Sequence, residues 1–176
     1  MNPFTLISTK KVYENPWISV REDAVQRPNG SEWIFGIVSI QSGANVVIVD
    51  EKNNIYLNHE YAYGLWGYEY RIPWWGIDSW ETPLEWAQRE ILEEVGIIAH
   101  EWISLGSFRP LTTVLDTVEH IFVARDIEHR ETEHEDGEVI KTVKMPYEKA
   151  LEMVMNSEIV HASSVVAILK AQKYLI

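Results

Sequence analysis

The stretch "RIPWWGIDSWETPLEWAQREILEEVG", from Arg71 to Gly96, decides the fold, because its two halves follow different rules. The second half ends in "REILEEVG", an acidic segment closed by glycine, which is typical of a helix that presents carboxylates. The first half is rich in tryptophan, where a turn leading into such a helix ordinarily has small residues. The indoles of the stretch are those of Trp74, Trp75, Trp80 and Trp86.

A helix from Thr82 to Val95 is predicted with both of its ends marked. Thr82 is a suitable N-cap, Pro83 takes the first helical position, and Glu85 completes a capping box. Gly96 follows the last helical residue and supplies the left-handed conformation that commonly ends a helix. This is the first convincing helix along the chain.

The predicted helix carries three glutamates close together. Glu90 and Glu94 are four residues apart and share a face, and Glu93 lies three residues after Glu90. Carboxylates so close repel one another, whereas bound magnesium would offset that cost because it prefers hard oxygen ligands. The alternative is an ordinary solvated acidic face, since glutamate clusters are common on helices.

Composition limits the classes of protein. The 176 residues suit one domain, and 46% hydrophobic with 24% charged residues is ordinary for a soluble globular protein. The absence of cysteine excludes disulfides and cysteine-based zinc sites. A net charge of -12 argues against nucleic-acid binding. No membrane span or signal peptide is predicted, so we expect a cytoplasmic location.

The order of predicted elements indicates a mixed α/β sandwich. Strands come first, in "KKVYENPWISVREDAVQ" with a break at Asn15-Pro16, then in "EWIFGIVSI", "ANVVIVD" and "NIYLNHEYAY". The helix follows, then strands near "EWISLGSF", "VEHIFVARDI" and "EVIKTVKM". Two helices, Tyr147 to Met155 and about His161 to Tyr174, end the chain. This order does not fit a βαβ repeat.

The acidic helix and the turn before it resemble the Nudix box. The box pattern is glycine, five residues, glutamate, seven residues, Arg-Glu, an aliphatic, any residue, Glu-Glu, any residue, glycine and an aliphatic. Here Glu81 is followed by seven residues and then by "REILEEVGI", from Arg89 to Ile97, so every position from Glu81 onward matches. The first position differs, because Trp75 replaces the box glycine and Gly76 is one place out of register.

The wider chain is similar to the branch of that family that contains ADP-ribose pyrophosphatases and nucleotide-sugar hydrolases. The similar segments include "YLNHEYAYG", "EWISLGSFRPLTTVLDTVEHIFVAR" and "DGEVIKTVKMPYEKALEMV". The resemblance implies a Nudix fold, an α/β/α sandwich with a mixed sheet and an N-terminal antiparallel strand extension. It also implies one domain over residues 1–176. Within it, the strands of residues 1–42 would mediate homodimerisation, and residues 43–176 would form the Nudix core.

The resemblance implies roles for the box residues. Glu90, Glu93 and Glu94 match the metal ligands, with the main-chain carbonyl of Trp74 completing the site and Glu93 also serving catalysis. Arg89 and Glu81 match a pair that orients the helix, although an ordinary surface ion pair is the alternative. The implied cofactor is Mg²⁺ or Mn²⁺, with more than one ion per site.

The resemblance also implies a general base in the acidic segment "HRETEHEDGEVIK". Glu138 falls where the branch places a catalytic or metal-binding glutamate, and Glu135 and Asp136 are close to it. A solvated loop with no catalytic role is the alternative. For substrate binding, Arg71 and Arg109 are candidates for phosphate contacts, although Arg71 would equally suit an ion pair with Glu69 or Glu93.

The implied reaction is metal-dependent hydrolysis of the diphosphate linkage of a nucleoside diphosphate sugar such as ADP-ribose. The products are a nucleoside monophosphate and a sugar phosphate. One alternative is a Nudix-fold protein, impaired or engineered, that binds nucleotide sugar without efficient turnover. Another is a non-enzymatic interaction domain whose glutamates face a partner protein.

The tryptophans motivate the impaired alternative. Of eight tryptophans, five lie beside or in place of turn glycines, namely Trp33, Trp66, Trp74, Trp75 and Trp80. A bulky residue forced into a glycine conformation costs on the order of 1–3 kcal/mol. We therefore predict a strained box loop in an engineered or altered hydrolase. Under natural divergence, the loop would instead adopt allowed dihedral angles.

Overall fold

A computed structural model of the protein describes residues 2–77, 80–130 and 141–175. The chain forms two compact units. The first comprises Met1–Ser42 and Arg109–Val118, and the second comprises Gly43–Phe108 and Glu119–Ile176. The assignment of residues 1–42 to dimerisation and of 43–176 to a Nudix core stays a prediction.

The described residues contain eleven β-strands and three α-helices, numbered in chain order. The strands of the first unit are β1 (Thr5–Glu14), β2 (Ile18–Gln26), β3 (Glu32–Ile40) and β9 (Leu115–Asp116). Those of the second unit are β4 (Gly43–Ile48), β5 (Asn54–Ala62), β6 (Gly67–Arg71), β7 (Trp74–Gly76), β8 (Ile97–Phe108), β10 (Glu119–His129) and β11 (Lys141–Pro146). The helices are α1 (Pro83–Val95), α2 (Tyr147–Met155) and α3 (Ala162–Leu175), and a 3₁₀ turn spans Tyr63–Leu65.

The first unit is one sheet in the order β1-β2-β3-β9. Strands β1, β2 and β3 are antiparallel, and β9 joins β3 in parallel. The break between β1 and β2 is local: Asn15 Oδ1 accepts hydrogen bonds from the N–H groups of Trp17 and Ile18 at 2.9 and 2.8 Å. Asparagine commonly closes a turn in this way. The predicted break at Asn15-Pro16 is therefore confirmed.

The second unit contains two sheets, in the orders β7-β4-β10-β8 and β11-β5-β6. In the first sheet β4 and β10 are parallel, whereas β7 and β8 are antiparallel to their neighbours. All six residues of β4 are buried, as its continuous apolar run predicts. The predicted mixed α/β architecture is confirmed in this unit.

Helix α1 has the ends that the sequence predicts. Thr82 Oγ1 accepts from the Glu85 N–H at 3.3 Å, and Glu85 Oε2 accepts from the Thr82 N–H at 3.0 Å. Gly96 has φ 64°, and its N–H bonds to the carbonyls of Ile91 and Leu92. Glycine adopts this left-handed conformation at no steric cost, which explains why the helix stops there.

Two apolar clusters form the core of the second unit. One lies around β5, α2 and α3 and includes Leu57, Tyr147 and Ile168. The other lies between α1 and the sheet of β4, and includes Trp75 and Trp86. The second cluster therefore fixes both halves of the box segment against the same sheet.

The sequence missed the short strands. Strands β6, β7 and β9 were not predicted, and β8 begins at Ile97 rather than near Glu101. Pairing with distant strands holds β6 and β7, so their own residues carry little signal. Among the described helices, none is both long enough and apolar enough to cross a membrane.

Candidate active site

Arg89 is the centre of a charge cluster on α1. Its Nη1 lies 2.7 Å from Glu93 Oε2, and its Nη2 lies 3.0 Å from Glu90 Oε1 and 3.2 Å from Glu81 Oε2. Its guanidinium carbon is also 4.3 Å from the ring centroid of Trp86. The pKa of Arg89 is raised above its ordinary value, chiefly by the hydrogen bond to Glu81. The adjacent carboxylates Glu90 and Glu93 add to this shift.

Glu90 is the most enclosed carboxylate of the box helix, with a side chain only 12% exposed. Desolvation raises the pKa of Glu90, and the charges of Glu94 and Glu93 raise it further against the opposing effect of Arg89. Its ionised form is therefore costly in this environment. A nearby cation would reverse that cost, which is the electrostatic property expected of a metal ligand.

The donor set fits a hard divalent cation in its chemistry. Glu90, Glu93 and Glu94 supply carboxylate oxygens from successive turns of one helix, and oxygen ligands are what Mg²⁺ prefers. Within residues 2–77, 80–130 and 141–175, however, no three His, Asp or Glu side chains are already grouped to hold an ion. In this arrangement Arg89 neutralises Glu90 and Glu93 instead.

The four tryptophans of the stretch show no positive φ, and two of them, Trp75 and Trp86, are packed in the core. Trp75 is 6% exposed and Trp86 is 8% exposed, and both belong to the cluster beneath α1. Trp74 and Trp75 lie in β7, and neither has a positive φ. Of the five tryptophans suspected of strain, only Trp66 does, with φ 54°. The predicted backbone strain at the box glycine position is therefore wrong, because that position is extended strand.

Arg71 lies on a polar face of the β5–β6 hairpin. It forms an ion pair with Glu60, rather than with Glu69 or Glu93 as the sequence suggested. Glu60 and Glu69 are opposite each other across the two strands and are only 7% and 8% exposed. Burial raises the pKa of Glu69 and lowers that of Arg71. Buried charge in this quantity is unusual for a structural sheet face and is typical of functional sites.

His161 lies close to the same polar face. Burial lowers the pKa of His161 to about 4, and the charge of Arg71 adds to that effect. Its Nδ1 is 2.9 Å from Ser164 Oγ, which accepts the N–H of Ile72 at 3.0 Å. This chain of contacts ties the start of α3 to the residue after Arg71. His161 thus has a structural role in this contact chain, and its lowered pKa favours the neutral imidazole.

Arg109 belongs to the other compact unit. Its Nη1 donates to the Thr117 carbonyl at 3.2 Å and lies 3.5 Å from Asp116 Oδ1. Its role as a phosphate contact stays a prediction. Glu135, Asp136 and Glu138 lie outside the described residues, so the position of the general base stays a prediction too.

Sequence reasoning missed a buried carboxylate next to the box loop. Glu119 is 4% exposed and accepts hydrogen bonds from Trp74 Nε1 at 2.8 Å and from Asn45 Nδ2 at 2.7 Å. It opens β10, in "EHIFVARDIEH", where a leading glutamate looks like an ordinary solvent-facing strand end. Asn45 is equally unmarked inside the apolar run of β4. Only the pairing of three strands brings these side chains together.

Comparison with known families identifies the chain. The NUDIX domain matches residues 39–163, and the nucleoside diphosphate sugar hydrolase N-terminal domain matches residues 4–38. The chain belongs to the NUDIX family. The resemblance predicted from the box segment is therefore confirmed.

Relatives of this NUDIX protein are distant but nearly full-length. It is 26% identical over 160 residues to CMP-5'-(N-acetyl-N-hydroxy-3-aminopropyl)phosphonate hydrolase of Streptomyces rubellomurinus, covering 90% of this chain and 77% of that protein. It is 24% identical over 164 residues to ADP-ribose pyrophosphatase of Bacillus subtilis, covering 92% and 89%. A solved structure of an ADP compounds hydrolase shares the fold, with a TM-score of 0.86 and 23% identity over 99% of this chain and 95% of that one.

These findings place the NUDIX protein in an enzyme class. It is a hydrolase that acts on phosphorus-containing anhydrides, and its family and relatives support hydrolysis of nucleoside diphosphate derivatives. Nudix hydrolases generally use divalent metal ions such as Mg²⁺. The predicted α/β Nudix fold is confirmed.

Proposed function

We propose that the protein hydrolyses the diphosphate linkage of a nucleoside diphosphate sugar such as ADP-ribose, giving a nucleoside monophosphate and a sugar phosphate. One observation carries the proposal. The box helix holds a carboxylate, Glu90, whose side chain is only 12% exposed, and desolvation together with the charges of Glu94 and Glu93 raises its pKa. A solvated acidic face has no reason to enclose one of its carboxylates in this way.

The metal ligands that we propose are Glu90, Glu93, Glu94 and the main-chain carbonyl of Trp74. Mg²⁺ or Mn²⁺ bound there, more than one ion per site, would activate water and neutralise charge that develops on the diphosphate oxygens. Glu90 and Glu93 are available for this role because Arg89, their ion-pair partner, would be exchanged for a bound cation. Arg89 binds Glu93 at the exposed surface, where ion pairs contribute little free energy.

Arg89 and Glu81 have an orienting role in this proposal. Their contact spans eight residues and joins the residue before the N-cap of α1 to the middle of that helix. It holds the guanidinium next to Glu90, in a contact that a bound cation would take over. Arg89 therefore supplies, beside Glu90 and Glu93, the positive charge that a bound metal ion would otherwise supply.

The bond changes are those of a simple hydrolysis. The oxygen of water forms a bond to one phosphorus while the bridging oxygen–phosphorus bond breaks. The proton released by water passes to a carboxylate of the late acidic segment, with Glu138 or Glu135 as the candidates. Both candidates lie outside the described residues, and the sequence does not distinguish between them.

Arg71 is the proposed substrate contact on the polar hairpin face. Desolvation lowers its pKa, so an anionic partner would stabilise its charge beyond what Glu60 supplies. Glu60 would hold the guanidinium in place before substrate binds. Arg109 stays a second candidate, in the other compact unit.

We further propose a homodimer formed through the N-terminal strands, in the cytoplasm. The first unit supports this, because its sheet exposes large apolar side chains, including Leu6, Ile7, Trp33 and Ile34 at 50–59% exposure. Exposed apolar patches commonly mark protein interfaces. Light scattering at micromolar concentration should give twice 20.4 kDa, and a monomer would contradict the dimer.

A substrate panel tests the proposed reaction. ADP-ribose and other nucleoside diphosphate sugars would be incubated with the full chain, with and without Mg²⁺ or Mn²⁺, and phosphate-ester products would be identified. We expect paired nucleoside monophosphate and sugar phosphate only with metal. Isothermal titration that shows substrate binding without any product would favour the impaired alternative instead. Absence of both binding and product would favour the interaction domain.

A further inference from the structure

Trp74 connects the box loop to a carboxylate buried on another strand. Its indole Nε1 donates to Glu119 Oε2 at 2.8 Å, and the same oxygen accepts from Asn45 Nδ2 at 2.7 Å. Both donors are neutral, and Glu119 is only 4% exposed. Loss of either hydrogen bond would leave a buried polar group with fewer partners, which is more costly than loss of the same bond at the surface.

The strand register explains how the indole reaches Glu119. Trp74 on β7 lies opposite Asn45 on β4, and Glu119 on β10 lies opposite Gly43 on the other side of β4. The indole therefore crosses β4 diagonally, passing over Gly43. A Cβ built on Gly43 would overlap the indole nitrogen and would lie 2.5 Å from Glu119 Oε2. Glycine at 43 is thus a requirement of the Trp74–Glu119 contact.

Asn45 fixes the position of the acceptor. Besides Glu119, its Nδ2 reaches the carbonyl of His120 at 3.2 Å, so one amide binds both the side chain and the main chain of β10. Asn45 is fully buried. Asn45 on β4 and the main chain of β10 therefore hold Glu119 in place, with Oε2 facing β7.

We propose that Glu119, supported by Asn45, is a positioning residue that fixes the main chain of β7 through the Trp74 indole. The tryptophan at the edge of the box is then an anchor rather than a defect. The consequence for metal binding rests on the proposed function, because it uses the Trp74 carbonyl as a ligand. The anchoring of β7 does not depend on whether metal binds.

A purely structural hydrogen bond makes a different prediction. Such a bond would change global stability without a local effect on β7, whereas a positioning contact would loosen β7 before the rest of the unit. Trp74→Phe removes the indole N–H and keeps an aromatic ring. Glu119→Ala removes the acceptor, and Glu119→Gln restores an acceptor oxygen without charge.

The first measurement is peptide-level hydrogen exchange over 74–77 in the metal-free full chain. We expect Trp74→Phe and Glu119→Ala each to speed exchange there by about tenfold, as loss of one buried hydrogen bond does. The double variant should exchange no faster than either single variant, and Glu119→Gln should stay close to wild type. Unchanged exchange in Trp74→Phe would overturn the proposal, and so would accelerated exchange in Glu119→Gln.

Tyr147→Phe is the matched control. It removes a buried hydrogen bond of 2.8 Å to the Ile168 carbonyl, between α2 and α3 in the other apolar cluster. This variant should loosen α3 and leave β7 unchanged. Equal loosening of β7 in Tyr147→Phe and Trp74→Phe would show a global effect and overturn the proposal. If Glu119→Ala does not fold, Trp74→Phe and Glu119→Gln still decide the outcome.

The second measurement is Mn²⁺ titration calorimetry without substrate. Outer residues that orient a metal ligand typically change affinity by 10–100-fold, so we expect Kd to rise about tenfold in Trp74→Phe and to stay constant in Tyr147→Phe. A wild-type chain that binds no Mn²⁺ would contradict the proposed function, and the exchange result would still decide the anchoring of β7. If Trp74→Phe binds Mn²⁺ with wild-type affinity, the claim that anchoring of β7 supports metal binding is wrong.

Discussion

The two halves of the box segment are held together by different forces. In α1, one arginine joins the carboxylates of Glu81, Glu90 and Glu93 within a few residues of chain. In the loop half, Trp75 is packed in an apolar cluster. The uncharged indole of Trp74 donates a hydrogen bond to Glu119, 45 residues away. The contacts of the charged half are therefore set by the spacing of residues close together in the sequence. The contacts of the loop half are set by pairing with strands that lie far away in the sequence.

Replacing Trp75 with glycine should have the largest effect on the loop half. Trp75 is 6% exposed, so Trp75→Gly leaves a cavity and should lower the free energy of unfolding by about 3–5 kcal/mol. Trp75→Phe is the control, because it keeps an aromatic ring and removes an indole N–H that has no hydrogen-bond partner among the described residues. Urea unfolding would compare the two. A Trp75→Gly protein as stable as wild type would mean that Trp75 is not a core residue.

The pH dependence of stability should reveal the lowered pKa of His161, a residue that lies next to the start of the loop half. Its pKa is lowered from 6.5 to about 4, so between these values the unfolded chain binds a proton that the folded chain does not. Stability is therefore full above about pH 6.5 and is lost as the pH falls toward 4.

The variant His161→Asn lacks this titration. Over the same window, wild type should lose on the order of 2 kcal/mol more stability than His161→Asn, measured by urea unfolding at each pH. The difference between the two proteins removes the contribution of Glu69, which is present in both. Parallel stability curves would show that His161 is not held neutral by burial.

Trp80 should have the smallest effect, although it belongs to the same loop. It is 82% exposed, so Trp80→Gly should change the free energy of unfolding by less than about 0.5 kcal/mol. The expected contrast with Trp75→Gly separates packed from solvent-facing indoles. A large loss of stability in Trp80→Gly would indicate that this indole is buried in solution by another copy of the chain. Thermal unfolding at several protein concentrations would detect such an association.

Much of the helix half could be predicted from sequence because its signals are local. The cap at Thr82 and the stop at Gly96 follow from neighbouring residues, and the resemblance to the Nudix box implied the Glu81–Arg89 pair. The apolar run of β4 was equally direct, since a strand buried on both faces needs no alternation.

The rest of the site could not be predicted, because pairing creates it. Glu60 and Glu69 become neighbours only when β5 and β6 form a hairpin, and each alone looks like an ordinary strand glutamate. The Trp74–Glu119 contact needs three strands in register and a glycine at 43. The expectation of strain failed for the same reason: the position of Trp75 is set by pairing with β4, not by a turn.

The most direct test of the account is the variant Glu90→Gln, measured for both stability and activity. The charge of Glu90 is unfavourable for the fold, because desolvation and the charges of Glu94 and Glu93 raise its pKa. We propose that the same charge is required for the reaction, because it would bind the metal ion. Glu90→Gln should therefore be at least as stable as wild type. Its kcat/KM with Mg²⁺ on the best diphosphate substrate should fall at least about 100-fold. A Glu90→Gln protein with wild-type kcat/KM would contradict the account and leave α1 as a solvated acidic face.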